Sequence, residues 1–326
     1  MWPFKSHTPK LATRIAITPP KPAALRDPLA LVLIARNEGK RLADWLTFHA
    51  IAGVSHVILY DNGSTDDTVA IALNFKGCPV TIVPWMLDAA EAKTGMVLHR
   101  QILAYAHAIC TFGSRFERMG FVDTDEYLVP RDALTLPQAL ATLPHPNISI
   151  PWTMFGHNGH TDAPTDAVPF AFVERAPISE GPLLNFKCII DPCEVTLVNT
   201  HRFETRAHGA QTSNTQNVVA TNKQRSGDFV CYEGIQLNHY YLLSRQEMLA
   251  KISGPAVSGS PHEQRKKAVL RKAELIEAAP IRDTCAVKFL ALHGVTDTST
   301  NLSYFEKNTR LLIRITSYNA KDKKRT

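Results

Sequence analysis

Residues 29–35, LALVLIA, are seven apolar residues in a row, and the chain turns polar directly after them at Arg36, Asn37 and Glu38. A strand with one wet face alternates apolar and polar residues, whereas an unbroken run needs apolar cover on both faces. Helices packed on each side of a parallel sheet give that cover, so this run points the chain to the α/β class.

The segments that follow agree with it. GKRLADWLTFHAIAG places Leu42, Trp45, Leu46 and His49 at helical spacing and stops at Gly53, which predicts the first crossover helix. SHVILYDNGSTDDT predicts a strand and a polar turn, with Ser64 or Thr65 capping a helix that opens at Asp66 and Asp67. TVAIALNF reads as a short helix, CPVTIVPW as a strand, MVLHRQILAYAHAICTF as a helix and ERMGFVDTDEYLVP as a strand running into an acidic loop. Strand and helix therefore alternate from residue 29 to residue 130, the pattern of right-handed βαβ units in an open, mostly parallel sheet. Such sheets bind ligands beyond the carboxyl ends of their strands. Those ends carry Arg36, Asn37 and Glu38, then Asp61, Asn62, Ser64 and Asp66, then Asp123, Asp125 and Glu126.

From about residue 144 the pattern changes to short β-rich pieces such as NISIPWTMFG, LLNFKCII and EVTLVN, which predict mixed or antiparallel strands. Two charged helices follow, SRQEMLAKIS capped by Ser244 and HEQRKKAVLRKAELIEAA stopping before Pro280.

Charge narrows the function classes. A net charge of +6 with pI near 9.0 is modest, and the basic residues gather in the tails, so a nucleic-acid stripe is not the expectation. An anionic membrane surface or a phosphorylated substrate accounts for the same charges. No stretch reaches the ~18 apolar residues that span a bilayer. The six cysteines have no CxxC spacing and sit mostly among apolar neighbours, as reduced core residues do. Cys188 and Cys193 bracket IIDP, but a zinc half-site would need a matching partner pair, and there is none.

FVDTDEYLVP, residues 121–130, is the first candidate site. In an extended segment side chains two apart point the same way, so Asp123 and Asp125 can converge on one hard cation. A DxD triplet arises by chance roughly 0.8 times in a chain with this much aspartate, so its context decides. Its apolar flanks bury nearby backbone, where close carboxylates are costly without a cation. Asp61, at a neighbouring strand end, can accept from a uracil N3–H or a ribose hydroxyl. There is no GxGxxG after the first strand and no GxxxxGK[ST], so a nucleotide held here needs its diphosphate neutralised by a metal and by Arg100 and Lys187.

ARNE, DWLTFHAIAGVSHVILYDNGSTDDT, GFVDTDEYLVP, IPWTMFGHNGH, LLNFKCIIDP and LNHYYLLSRQEMLAKIS, in that order over roughly residues 30 to 253, resemble glycosyltransferase family 92 and its relatives of the family 2 type. The resemblance implies a GT-A fold with a Rossmann-like, mostly parallel central sheet flanked by helices and a mixed β region on the acceptor side. It implies a hexosyltransferase that uses a nucleotide-sugar donor such as a UDP-sugar, galactose being a candidate sugar, with a divalent cation, manganese or magnesium, and inversion at the anomeric carbon. In the family pattern Asp123 and Asp125 hold the metal and donor diphosphate, Asp61 contacts the nucleoside, and His239 is a further metal or diphosphate ligand, although between Leu237 and Tyr240 it also reads as core. Asn37, Glu38, Arg100 and Lys187 complete the expected donor-binding set.

The acceptor hydroxyl needs a general base, for which Asp162 in GHNGHTDAP and Glu174 in FAFVERA are the candidates, ahead of His157 and His160. Trp152 and Phe155 have flat faces suited to sugar stacking. The expected division is a tail at 1–28, a GT-A domain at 29–255 with a donor half to 143 and an acceptor half from 144, and a basic helical region at 256–326. The expected setting is a bacterial enzyme of polysaccharide or glycoconjugate synthesis, cytoplasmic or at the inner face of the membrane, with a glycan as acceptor. Two other readings stand beside it: a metal-dependent phosphohydrolase, which would need a strand-end nucleophile or a second metal shell, and a carbohydrate-binding protein that has lost catalysis.

Overall fold

The computed structural model describes residues 11–177, 181–253 and 262–296. The basic C-terminal end from 297 and the first ten residues lie outside that description. The apolar run forms β1 (Asp27–Ala35). Its side chains divide between two separate cores, with Leu29, Leu31 and Leu33 in one and Ala30 and Val32 in the other, all fully buried. That is the two-faced burial its lack of alternation requires, and each leucine so placed contributes about 1.5–3 kcal/mol.

The first half continues through α1 (Gly39–Ile51), β2 (His56–Asp61), α2 (Thr68–Asn74), β3 (Val80–Pro84), α3 (Arg100–Phe112) and β4 (Phe116–Phe121). β1 is parallel to β2 and β4, and β2 is parallel to β3. α1 ends as predicted, with Gly53 at φ 87°. Gly120 in β4 has a packing reason, since a Cβ there would lie 2.7 Å from Leu31 Cδ2.

Beyond β4 the sheet becomes mixed. β5 (Glu126–Pro130), β6 (Asn147–Met154), β7 (Phe186–Ile190) and β8 (Ile235–His239) follow in the chain. β7 is antiparallel to both β4 and β6, giving the order β3-β2-β1-β4-β7-β6 along the sheet. The far end of β6 leaves β7 and pairs in parallel with β8, which in turn pairs antiparallel with β5. This is the mostly parallel first half and mixed second half implied by the family resemblance. Towards the end of the described chain come the helices α4 (Arg245–Ser253), α5 (His262–Glu277) and α6 (Cys285–Leu292). Ser244 caps α4 reciprocally with Glu247: its N–H and hydroxyl donate to Glu247 Oε2 at 3.1 and 2.6 Å, and it accepts from the Glu247 N–H.

Three local expectations change. Ser64 and Thr65 do not cap α2; they turn instead to Asn37, with Ser64 Oγ accepting its N–H at 3.0 Å and the Thr65 N–H donating to its Oδ1 at 2.8 Å. Asp66 meets the Thr68 N–H in their place, at 3.0 Å. α3 starts at Arg100 rather than near Met96, because Val97 and Leu98 are drawn into a parallel pairing with Leu11 and Ala12. Residues of the expected tail thus add to the body of the protein, Ile15–Ala16 likewise pairing with Val198 and Leu197.

Candidate functional site

The acidic segment is a turn between β4 and β5, closed by the Glu126 N–H donating to the Asp123 carbonyl at 3.1 Å. An extended segment was the basis for expecting Asp123 and Asp125 to converge; the segment is a turn instead, and each carboxylate has its own lysine. Asp123 Oδ2 meets Lys187 Nζ on β7 at 2.8 Å, while Asp125 Oδ2 meets Lys251 Nζ on α4 at 2.8 Å. Asp125 Oδ1 also faces His239 Nε2 at 3.5 Å, because β5 and β8 set His239 directly across from Glu126.

Helix α1 holds the turn from beneath. The Trp45 indole N–H donates to the Glu126 carbonyl at 2.8 Å. His49, one helical turn on, donates from Nδ1 to the Trp45 carbonyl at 2.9 Å and accepts the Leu128 N–H on Nε2 at 3.2 Å. The helical spacing that put Trp45 and His49 on one face therefore serves the site as well as the core.

The carboxylates differ in charge. Burial pushes Asp125 up, but Lys251 and His239 outweigh it and hold the carboxyl well below the usual range. Glu126 is fully buried; it accepts the Asp123 N–H at 2.8 Å and faces Lys187 at 3.2 Å, yet burial still raises its carboxyl. Burial and the neighbouring Asp125 push Glu38 up to about 7. Four carboxyl groups thus stand around two ammonium groups, and the two glutamates with raised values mark where positive charge is short. Glu126 Oε1 and His239 Nδ1 are buried without a hydrogen-bond partner.

The donor-side residues lie along adjacent strand ends. Asp61 accepts the Ser64 N–H at 3.1 Å, and Asn37, with φ 58°, links the loops after β1 and β2. Arg100 donates from Nε to Asp88 at 2.8 Å and from a terminal nitrogen to Asn62 at 3.3 Å, which places it at the end of β2. Asn37, Glu38, Asp61, Arg100, Asp123, Asp125, Lys187 and His239 are thus carried at one edge of the sheet.

Asp162 and Glu174 are placed otherwise. Both are exposed, and among the described residues neither carboxylate has a hydrogen bond or ion pair to the acidic turn. Glu174 stands across a two-residue strand pair from Arg282, and Asp162 follows a loop whose Thr161 carbonyl accepts from Gln246 at the start of α4. His157 and His160 bond the carbonyls of Leu243 and Ala171 at 2.8 and 3.0 Å. Phe155 and Trp152 are both buried, Phe155 against Tyr240 and Trp152 against His239 with ring centroids 4.4 Å apart.

The sequence reading missed Lys251, and with it Tyr241 and Lys272, whose ammonium lies 5.0 Å from the Tyr241 ring centroid. Lys251 sits in a quoted block, but nothing in spacing links it to Asp125, which is 126 residues away.

A divalent cation is implied by the family resemblance, and its fit is decided by the donor set. Carboxylate oxygens, an imidazole with a free nitrogen and an excess of carboxyl over ammonium groups suit a hard divalent ion. Among the described residues no three such groups are gathered closely enough to hold one as they stand. Lys187 and Lys251 occupy the aspartate oxygens in this arrangement.

The sequence pattern of glycosyltransferase family 92 matches residues 35–240, a span that runs from the end of β1 through the acidic turn to His239 and Tyr240. The chain belongs to glycosyltransferase family 92. A family 92 protein of Ricinus communis is 25% identical over 190 residues, covering 55% of this chain and 32% of its own length. The chain therefore spans about a third of that curated relative. Among solved structures, TarS of S. aureus in complex with UDP-GlcNAc aligns with 81% of this chain and 71% of its own at 14% identity and TM-score 0.35. Glucosyl-3-phosphoglycerate synthase of Mycobacterium tuberculosis, in complex with Mn2+, UDP and glucosyl-3-phosphoglycerate, aligns with 41% of this chain and 45% of its own at 20% identity and TM-score 0.25.

Proposed function

We propose that this family 92 chain is an inverting, metal-dependent glycosyltransferase that moves a sugar, with galactose a candidate, from a nucleoside diphosphate to a hydroxyl of a glycan. The observation that carries the reading is the cation-poor acidic turn at the carboxyl edge of the sheet, one strand from Glu38 and two from Asp61. A phosphohydrolase would need a strand-end nucleophile or a second metal shell of its own.

In this reading Asp61 accepts from the nucleoside and the Arg100 guanidinium, at the end of β2, faces the phosphates. Asp123, Asp125 and His239 would hold the cation, which when bound supplies positive charge opposite the departing β-phosphate. Lys187 keeps Asp123 oriented, and Lys251 keeps Asp125 ionised in its buried place. Asp162 and Glu174 are the proposed acceptor-side bases; an exposed carboxylate serves once an acceptor brings its hydroxyl within hydrogen-bond reach. No helix among the described residues is long and apolar enough to cross a membrane. The charge of +6 suits an anionic surface such as the inner face of a bacterial membrane, where polysaccharide or glycoconjugate synthesis would supply the acceptor.

The test is a donor screen with purified protein, manganese and a panel of nucleotide sugars, reading nucleoside diphosphate release. Release with at least one donor, reduced about 10²–10³-fold by Asp125→Asn and abolished by chelation, supports the reading. No release with any donor, or release indifferent to both, overturns it.

A further inference from the structure

Three lysines stand near the acidic turn, and one is different in kind. Lys187 and Lys251 each meet an aspartate at 2.8 Å. Lys272, on α5, is half-buried and, among the described residues, forms no ion pair. Its ammonium lies over two aromatic rings, 5.0 Å from the centroid of Tyr241 and 5.9 Å from that of Trp152. Lys251 shares the Tyr241 ring, at 4.8 Å.

The charges that act on Lys272 are cations. Burial lowers its ammonium below the usual lysine range, and Lys251 and Arg225 lower it further. Arg225 is exposed and bonded to the neutral Asn185 Oδ1 at 2.7 and 3.2 Å, so its charge is oriented without being cancelled. The stem of Lys272 also lines an open pocket of about 310 Å³ with Pro182, Lys267, Ala268 and Arg271. Gathering like charges in a partly dry place is costly, and an anion removes the cost.

We propose that Lys272, flanked by Arg225 and Lys251 and walled by Tyr241 and Trp152, is a subsite for a phosphate group carried by the acceptor. A lysine point charge beside an arginine fork is suited to a phosphate oxyanion. Position assigns it to the acceptor rather than to the donor. Asp61 ends β2, whereas Trp152 and His239 belong to β6 and β8, which lie beyond β1, β4 and β7 along the sheet. The cationic site is therefore on the flank of the acidic turn that faces away from the nucleoside position. This rests on the transferase reading only for the word acceptor; the anion site itself stands on the geometry.

The test titrates inorganic phosphate into the full chain, with and without saturating UDP, by calorimetry or 31P line broadening. The expected result is phosphate binding that UDP does not displace, weakened about tenfold in Lys272→Gln and restored in Lys272→Arg. Arg225→Gln, at an exposed position, weakens binding in the same direction and serves if Lys272→Gln does not fold. Absence of phosphate binding, or binding unchanged in both neutral variants, overturns the site. Displacement by UDP overturns the acceptor assignment and gives the site to the donor's diphosphate. A chain that binds phosphate here and binds no UDP keeps the anion site while the transferase reading fails.

Discussion

Lys251 Nζ and Asp125 Oδ2 stand 2.8 Å apart although 126 residues separate them in the chain, so helix α4 supplies the charge that keeps Asp125 ionised. Asp125 is largely buried, whereas Lys251 is about half exposed, at 15% and 49% side-chain exposure. Removing the lysine leaves a buried carboxylate short of its partner, and exposure of the lysine moderates the loss. Lys251→Met is expected to cost about 1–2 kcal/mol at pH 7 in urea unfolding. The deficit shrinks toward acid as the freed Asp125 takes up a proton, and it shrinks also when Asp125→Asn is present.

Glu126 is expected to behave in the opposite way. Burial raises its carboxyl, so its neutral form is favoured and an isosteric amide keeps the charge state of the site. Glu126→Gln should change stability by less than about 1 kcal/mol at pH 7, measured in the same unfolding experiment. A loss as large as that of Lys251→Met would contradict a neutral Glu126.

The Trp45 indole is the tie between α1 and the turn. Trp45→Phe keeps a ring in the core but leaves the Glu126 carbonyl without its donor and opens space beside it. A loss of about 2 kcal/mol is expected. Faster amide exchange at Glu126 and Tyr127 should accompany it, marking the loosened turn.

Acid should unfold the same junction. Burial lowers His49 to about 3, and its Nε2 must stay unprotonated to accept the Leu128 N–H. The folded value lies below the unfolded one near 6.5, so the unfolded chain binds more protons between them and stability falls as pH drops from about 6.5 toward 3. By pH 4 this histidine alone accounts for about 3 kcal/mol. His201, also lowered to about 3 chiefly by burial, adds in the same direction. His49→Gln, which cannot take a proton, should flatten the acid limb of a stability profile read by circular dichroism.

The parts of this architecture that local chemistry determines were legible from the residues. β1 was read from seven apolar residues, α1 from the spacing of Leu42, Trp45, Leu46 and His49, and the cap of α4 from Ser244, because each depends on neighbours within a few positions. Lys187 and His239 came from the family resemblance and from charge, and the structure sets both beside the acidic turn. What could not be read depends on tertiary pairing. Asp123 and Asp125 meet different lysines because β7 and α4, which carry them, lie 64 and 126 residues further along the chain. Ser64 and Thr65 serve Asn37 because the loops after β1 and β2 meet. Lys251 and Lys272 come from helices whose packing no local pattern specifies.

The central claim is that the acidic turn grips a metal-bound sugar nucleotide. Linkage makes it measurable without turnover, since two ligands held at one site raise each other's affinity by the same factor. The direct measurement is an EPR titration of free Mn2+ with the full chain, in the presence and absence of UDP. Mn2+ binding that UDP tightens at least about tenfold, and that Asp125→Asn removes while the variant keeps its fold by circular dichroism, is the predicted result. Mn2+ binding indifferent to UDP, or retained in folded Asp125→Asn, would contradict it.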